Sequence, residues 1–214
     1  MPASDTGSEI CRLCGSAGHP FYGNLFYTCP VCRGLYRPVS ALPDPEKEKE
    51  RYLKHRNDPS DKGYRNFVAP LFRAVTKDFT CHSRGLDFGS GPGSAIAAML
   101  KEKEYDISAY DPFFCDDKNR LNQPYDFIIC CEVIEHFHYP VNEFNLLVSL
   151  MKPDSVLYCM TDLYNETIDF SSWYYKNDFT HVFIYRKETI QWIQNKYSLH
   201  SEIDNNRLIR FYRS

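Results

Sequence analysis

The run Leu86-Asp87-Phe88-Gly89-Ser90-Gly91-Pro92-Gly93 narrows the folds open to this chain more than any other segment. It follows a short apolar stretch, Gly85 to Phe88, that reads as a strand, and it precedes Ser94 to Lys103, which reads as a helix. Glycines at alternate positions let the backbone turn sharply there and let a ligand approach closely. The alternation then continues: Asp106 to Tyr110 and Tyr125 to Cys131 as strands, Val141 to Met151 as a helix, Ser155 to Thr161 as a strand. Such a sequence of elements predicts an α/β fold, a mostly parallel sheet with helices on both faces. Lys187 to Lys196 is periodic in Ile190, Trp192 and Ile193, and Asp204-Asn205-Asn206 separates Leu199 to Ile203 from Leu208 to Tyr212. That turn chemistry predicts a C-terminal antiparallel hairpin.

The N-terminal part obeys other rules. Residues 1–10 are mostly small and polar and read as a disordered lead. Cys11-Arg12-Leu13-Cys14 and Cys29-Pro30-Val31-Cys32 follow, fourteen residues apart, in a stretch rich in Gly, Pro, Tyr and Phe. The cysteine count of nine is odd, which disfavours a disulfide scaffold, and neither pair precedes a βαβ pattern as a redox motif would. Two knuckles able to set four thiolates on one ion predict a closed structural zinc site, ligated by Cys11, Cys14, Cys29 and Cys32, in a ribbon over residues 11–40. Cys81, Cys115, Cys130, Cys131 and Cys159 need no role beyond packing as small apolar groups.

Residues 41–80 read as a helical linker or cap. Asp44-Pro45-Glu46 supplies an N-cap acceptor, a proline at the first helical position and an acid in the first turn, so a helix is expected from Pro45 to about His55. Asp61 caps a second, whose apolar stripe is Tyr64, Phe67, Val68, Leu71, Phe72 and Val75, with Pro70 expected to kink or split it. A net charge of -3 removes the broad attraction behind non-specific nucleic-acid binding, so an RNA partner is disfavoured though not excluded. The chain shows no apolar run of membrane-spanning length and no signal-peptide pattern, which predicts a cytoplasmic protein with no membrane partner. No feature sets an oligomeric state.

With an acid two residues ahead of the first glycine, Asp87-Phe88-Gly89-Ser90-Gly91-Pro92-Gly93 resembles motif I of class I S-adenosylmethionine-dependent methyltransferases. The resemblance covers Lys77 to Tyr212 and implies a Rossmann-like seven-stranded sheet over residues 81–214. It further implies that Asp87, Phe88, Gly89, Gly91 and Gly93 hold the methionine part of S-adenosylmethionine, and that Glu132 lies beside it. Asp111-Pro112, at the end of the second strand, would meet the ribose hydroxyls; dinucleotide enzymes share that acid, so it does not discriminate alone. One departure stands out. Only 13 residues separate Asp111 from Tyr125, too few for a helix, a third strand and an adenine loop, which leaves Phe113 and Phe114 to pack on adenine. Tyr52, His55, Asn57, Asp61 and Tyr64 resemble a pattern of a bacterial methyltransferase-domain family of about this length, whose helices would cover the cofactor cleft.

The strand Tyr125 to Cys131 runs into Glu132-Val133-Ile134-Glu135-His136, with Glu132, Glu135 and His136 on one face if the chain turns helically. Downstream, Trp173-Tyr174-Tyr175 and Asp178 to His181 suit an aromatic substrate lid. Three roles compete for His136. As a general base it would take a proton from the acceptor, with Glu132 or Glu135 fixing its tautomer. As a metal ligand it would join Glu132, Glu135 and His181 around a divalent cation, a pattern that resembles small-RNA 3′-end 2′-O-methyltransferases. As a structural residue it would cap the next segment. Asp178 is a weaker catalytic candidate that also suits a turn cap, and His138 is weaker still. The reading favoured is methyl transfer to a small-molecule acceptor, ahead of an RNA methyltransferase and of a non-catalytic adaptor.

Overall fold

The computed structural model describes residues 8–54 and 58–213. His55 and Asn57 therefore lie outside the described residues. Strands β1 (His19–Tyr22), β2 (Phe26–Thr28) and β3 (Leu35–Tyr36) form the N-terminal module, followed by helices α1 (Pro45–Leu53) and α2 (Lys62–Asp78). The module starts before Cys11: Ile10 pairs with Ala17, and the Glu9 carbonyl accepts from Gly18 N at 2.8 Å and from the Tyr36 hydroxyl at 2.7 Å. The lead read from residue 1 to 10 is thus too long at its C-terminal end.

Both helices start where their caps predict, Asp44 accepting from Lys47 N at 3.0 Å and Asp61 from Tyr64 N at 2.7 Å. Pro70 does not split α2, which runs through it. The proline is exposed, so the carbonyl it leaves unbonded one turn earlier is solvated, while Val68, Leu71 and Val75 stay fully buried on the opposite stripe.

The remaining elements are β4 (Arg84–Phe88), α3 (Ala95–Lys101), β5 (Asp106–Tyr110), β6 (Tyr125–Cys131), α4 (Pro140–Ser149), β7 (Met151–Met160), β8 (Phe183–Ile184), α5 (Lys187–Tyr197), β9 (His200–Asp204) and β10 (Leu208–Tyr212). The main sheet has six strands in the order β5-β4-β6-β7-β10-β9, not seven. The thirteen residues after Asp111 form only a short 3-10 turn, Lys118–Asn122, so β5 is left as the edge. The first four strands are parallel, and the hairpin β9–β10 returns antiparallel against β7.

From β4 the chain passes to β5 on one side and then crosses to β6 on the other. That reversal opens a crevice beyond the carboxyl ends of β4 and β6, the place where open α/β sheets bind ligands. Val68, Leu71 and Val75 of α2 with Ile96 and Leu100 of α3 close one face of the sheet, while Phe144 and Leu147 of α4 with Ile190 and Ile193 of α5 close the other. Strand β8, from the segment between β7 and α5, joins β3 rather than the main sheet. No helix among the described residues is long and apolar enough to cross a membrane.

Candidate active site

A cavity of about 1080 Å³ occupies the crevice. Its cofactor-like half is built on the turn after β4. Gly89 and Gly91 have φ of +78° and +61°, and a Cβ on Gly89 would lie 2.6 Å from the Val133 methyls. Glycine is required at position 89 on both counts. Asp111 fastens this turn to the next: its carboxylate accepts from Gly91 N at 2.9 Å, Phe113 N at 2.8 Å and Phe114 N at 3.1 Å. Phe88, Gly89, Gly91, Asp111, Pro112, Phe113, Phe114 and Glu132 all line the cavity. Asp87 and Gly93 do not. Side chains alternate along β4, so Phe88 faces the crevice and Asp87 turns back toward Ser94, the N-cap of α3. Asp87 is buried with Oδ2 unpartnered, and burial pushes its carboxyl up to about 6.

The other half is built on the segment after β6. Glu132 takes the left-handed conformation, φ +53°, which a non-glycine residue adopts only when its surroundings impose it. The turn sends its carboxylate to Arg207, 3.1 Å away, and so out of the acid and imidazole cluster in which helical spacing would place it. Glu135, fully buried, accepts from the Tyr175 hydroxyl at 2.6 Å, and its second oxygen has no partner among the described residues. Burial, with repulsion from Glu135 in the case of Glu132, lifts the two carboxyls to about 8 for Glu132 and about 7 for Glu135. Near neutrality the pair is therefore still partly protonated.

His136 and His181 come together although 44 residues separate them, with ring centroids 4.9 Å apart. Each Nδ1 faces a backbone carbonyl, His136 that of Thr180 at 2.9 Å and His181 that of Tyr175 at 2.7 Å. A carbonyl only accepts, so each Nδ1 carries the hydrogen and each Nε2 keeps a lone pair that has no hydrogen-bond partner among the described residues. Burial lowers both imidazoles below their usual range, His181 to about 3 with the further repulsion of His136, so both are neutral at pH 7. One ligand atom each from Glu135, His136 and His181 lie within 4.8 Å of one another. Asp178 serves otherwise. Burial opposes its charge, but the Thr180 hydroxyl at 2.7 Å, the Thr180 amide at 3.0 Å and Arg51 at 2.6 Å hold it down at about 2. His138 donates to or accepts from Glu48 at 3.1 Å, outside the imidazole pair. Tyr52, part of the bacterial-family pattern, lines the same cavity, as do Glu48, Arg51 and Arg207, which no spacing in the sequence marks.

These shifts set a pH dependence of stability with two limbs. An unfolded chain protonates His136 and His181 near pH 6.5 and the folded one does not, so the contribution of these two groups to stability rises as pH approaches about 6.5 from below. Glu132 and Glu135 act with opposite sign: the folded state keeps protons that the unfolded one releases near pH 4.4, and stability falls as pH rises toward 8. Asp87 adds to that fall at its lower end. The ligand-free protein is expected to lose on the order of 2 kcal/mol between pH 6.5 and 8 from the acid pair. Urea titrations of wild type and Glu135→Gln at a series of pH values check this, because the variant should lose part of the alkaline limb while keeping the acid one.

Solved structures share this fold. A 1,6-didemethyltoxoflavin-N1-methyltransferase from Burkholderia thailandensis, solved with bound 1,6-didemethyltoxoflavin and S-adenosylhomocysteine, superposes with a TM-score of 0.58 at 11% identity, over 94% of this chain and 96% of that one. A SAM-dependent methyltransferase from Archaeoglobus fulgidus gives 0.54 at 18%, over 79% and 100%. An O-methyltransferase family protein from Burkholderia thailandensis gives 0.55 at 12%, over 78% of this chain and 63% of that longer one. No curated protein matches the sequence. The sheet, its reversal point and the glycine turn thus place the molecule in the class I S-adenosylmethionine-dependent methyltransferase fold. The model of the family described as "Methyltransferase domain" matches residues 42–200, and the chain belongs to that family of enzymes.

Proposed function

We propose that this enzyme transfers the methyl group of S-adenosylmethionine to a small-molecule nucleophile, and that His136 takes the proton the acceptor loses. The observation that carries the reading is a neutral imidazole pair, with no Nε2 partner among the described residues, in the same cavity as the glycine turn and Asp111. The cofactor supplies an activated methyl on a sulfonium. Asp111 is suited to the ribose hydroxyls and Phe113 and Phe114 to the adenine face. Tyr52, Phe67, Tyr174 and Phe179 give the far wall rigid aromatic area, which suits a compact, partly apolar acceptor from which water is excluded. The solved didemethyltoxoflavin enzyme, which this chain covers almost end to end, acts on such a ring.

A second reading rests on the unpartnered Glu135 oxygen. Glu135, His136 and His181 form a carboxylate and two-imidazole set, and the carbonyl bonds to both Nδ1 atoms are the outer contacts that orient metal-bound histidines. A divalent cation there would displace the proton from Glu135. We further propose structural zinc at the four cysteines. Cys11 and Cys32 sulfurs lie 3.5 Å apart and those of Cys14 and Cys29 3.2 Å, close to the roughly 3.8 Å edge of a tetrahedron with 2.3 Å bonds. The amides of Val31 and Cys32 point at the Cys29 sulfur at 3.4 Å, as a knuckle requires.

Thermal denaturation tests the cofactor. S-adenosylhomocysteine at about 100 times its Kd should stabilise the protein by about 2.7 kcal/mol, and NADH should have no effect. Asp111→Ala should weaken that binding by roughly tenfold to a hundredfold, the loss expected for charge-assisted hydrogen bonds. Stabilisation by NADH alone would identify a different cofactor.

A further inference from the structure

The ribbon is not a separate appendage. Leu13 and Tyr36 share one buried cluster with Ile134, Phe137 and Phe183, and strand β8 extends the ribbon sheet through Leu35↔Ile184 and Tyr36↔Phe183. Contact is close enough that a Cβ on Gly34 would lie 2.5 Å from the Phe183 ring. Two arginines cross this boundary. Arg12, between the first two cysteines, is 6% exposed, and its guanidinium donates to the backbone carbonyls of His138, Arg37 at 2.6 Å and Val182 at 3.1 Å. Arg37, lying over the Phe26 ring at 4.6 Å, donates to the carbonyls of Lys176 at 2.8 Å, His181 at 3.2 Å and Asp178 at 3.3 Å.

We propose that Arg12 and Arg37 are positioning residues that tie the His136 turn and the Lys176 to Val182 segment into one frame, making the four-cysteine ribbon a working part of the acceptor side. Neither segment has regular structure of its own beyond a single 3-10 turn, so neither can fix an imidazole by itself. A buried guanidinium offers five donors in a rigid fork and must have them answered, which is why it can gather carbonyls from separate loops. Backbone bonds complete the frame: Val182 N donates to the Glu135 carbonyl at 2.9 Å, and Arg37 N to the Val182 carbonyl at 3.0 Å. The cofactor turn, by contrast, receives no hydrogen bond from the ribbon among the described residues. Disturbing the ribbon should therefore loosen the histidines and spare the glycine turn. The inference takes from the proposed function only that the histidines face the acceptor, and its test reads backbone order instead of turnover, so each can fail alone.

Amide exchange followed by mass spectrometry, on the full chain with its zinc content measured, is the test. In Arg37→Ala, exchange across residues 174–182 should accelerate by about tenfold or more, with residues 86–100 unchanged within about twofold. Affinity for S-adenosylhomocysteine and zinc content should stay as in the wild type. Millimolar guanidinium ion should slow the exchange again by refilling the vacated donor site, and Arg37→Lys, which keeps the charge and loses the fork, should stay fast. Should Arg37→Ala not accumulate folded, Arg12→Gln gives the same readout at residues 134–138 and 182. Unchanged exchange in those segments would show that the loops hold themselves. Equal acceleration at residues 86–100 would show a general loss of structure. Either result overturns the proposal.

Discussion

His136→Ala is expected to lower turnover by a factor on the order of 10² to 10⁴ while leaving affinity for S-adenosylhomocysteine intact. On the proposed reading Nε2 of His136, which has no partner among the described residues while Nδ1 is committed to the Thr180 carbonyl, takes the proton, and burial keeps the ring neutral at pH 7. No hydrogen bond among the described residues joins the His136 side chain to the glycine turn or Asp111, which is why the two effects should separate. Transfer of labelled methyl from S-adenosylmethionine to an acceptor found by screening small nucleophiles measures the loss. The same assay distinguishes the second reading. If Glu135, His136 and His181 hold a cation, chelation that leaves the ribbon zinc in place abolishes turnover, and magnesium or manganese restores it. A base acting alone ignores added metal. Wild-type turnover in His136→Ala would reject both and leave the residue as a structural neighbour of Tyr52 and His181.

Gly89→Ala is expected to remove cofactor binding and to lower the melting temperature by roughly 5 to 15 °C. The left-handed φ of +78° costs an L-residue roughly 1–2 kcal/mol. The added methyl would meet the Val133 side chain at 2.6 Å, and relieving that overlap costs about 1–3 kcal/mol more. For a chain of this size each kcal/mol moves the midpoint by about 2–4 °C. Val133 cannot yield cheaply, because it sits between Glu132, itself left-handed, and the turn that carries His136. The strain therefore spreads to both halves of the cavity. Scanning calorimetry with and without S-adenosylhomocysteine checks it; a variant that melts like wild type and still responds to the ligand would show that the turn has other conformations available.

Much of the framework was legible from residue order. Glycine at alternate positions after a strand, helix caps at Asp44 and Asp61, the Asp204-Asn205-Asn206 turn and the two cysteine knuckles are local signals, each decided by sterics or hydrogen bonds within a few residues. The thirteen residues between Asp111 and Tyr125 warned of a missing strand, and six strands form where the resemblance implied seven. The active-site detail was not legible in this way. Helical spacing placed Glu132 with Glu135 and His136, but a left-handed turn and Arg207, 75 residues away, draw it aside. His181 was in view as a candidate; its approach to His136, and the carbonyls that fix both tautomers, arise only when the segment from Trp173 to His181 folds back. No spacing in the sequence marks Arg12 or Arg37. Their roles depend on carbonyls 126 to 170 residues distant for Arg12 and 139 to 144 for Arg37. Caps, turns and knuckles are decided by neighbours in the chain and so by the sequence alone. Which buried polar group answers which is decided by the packing that first brings them within reach, and only the tertiary structure contains it.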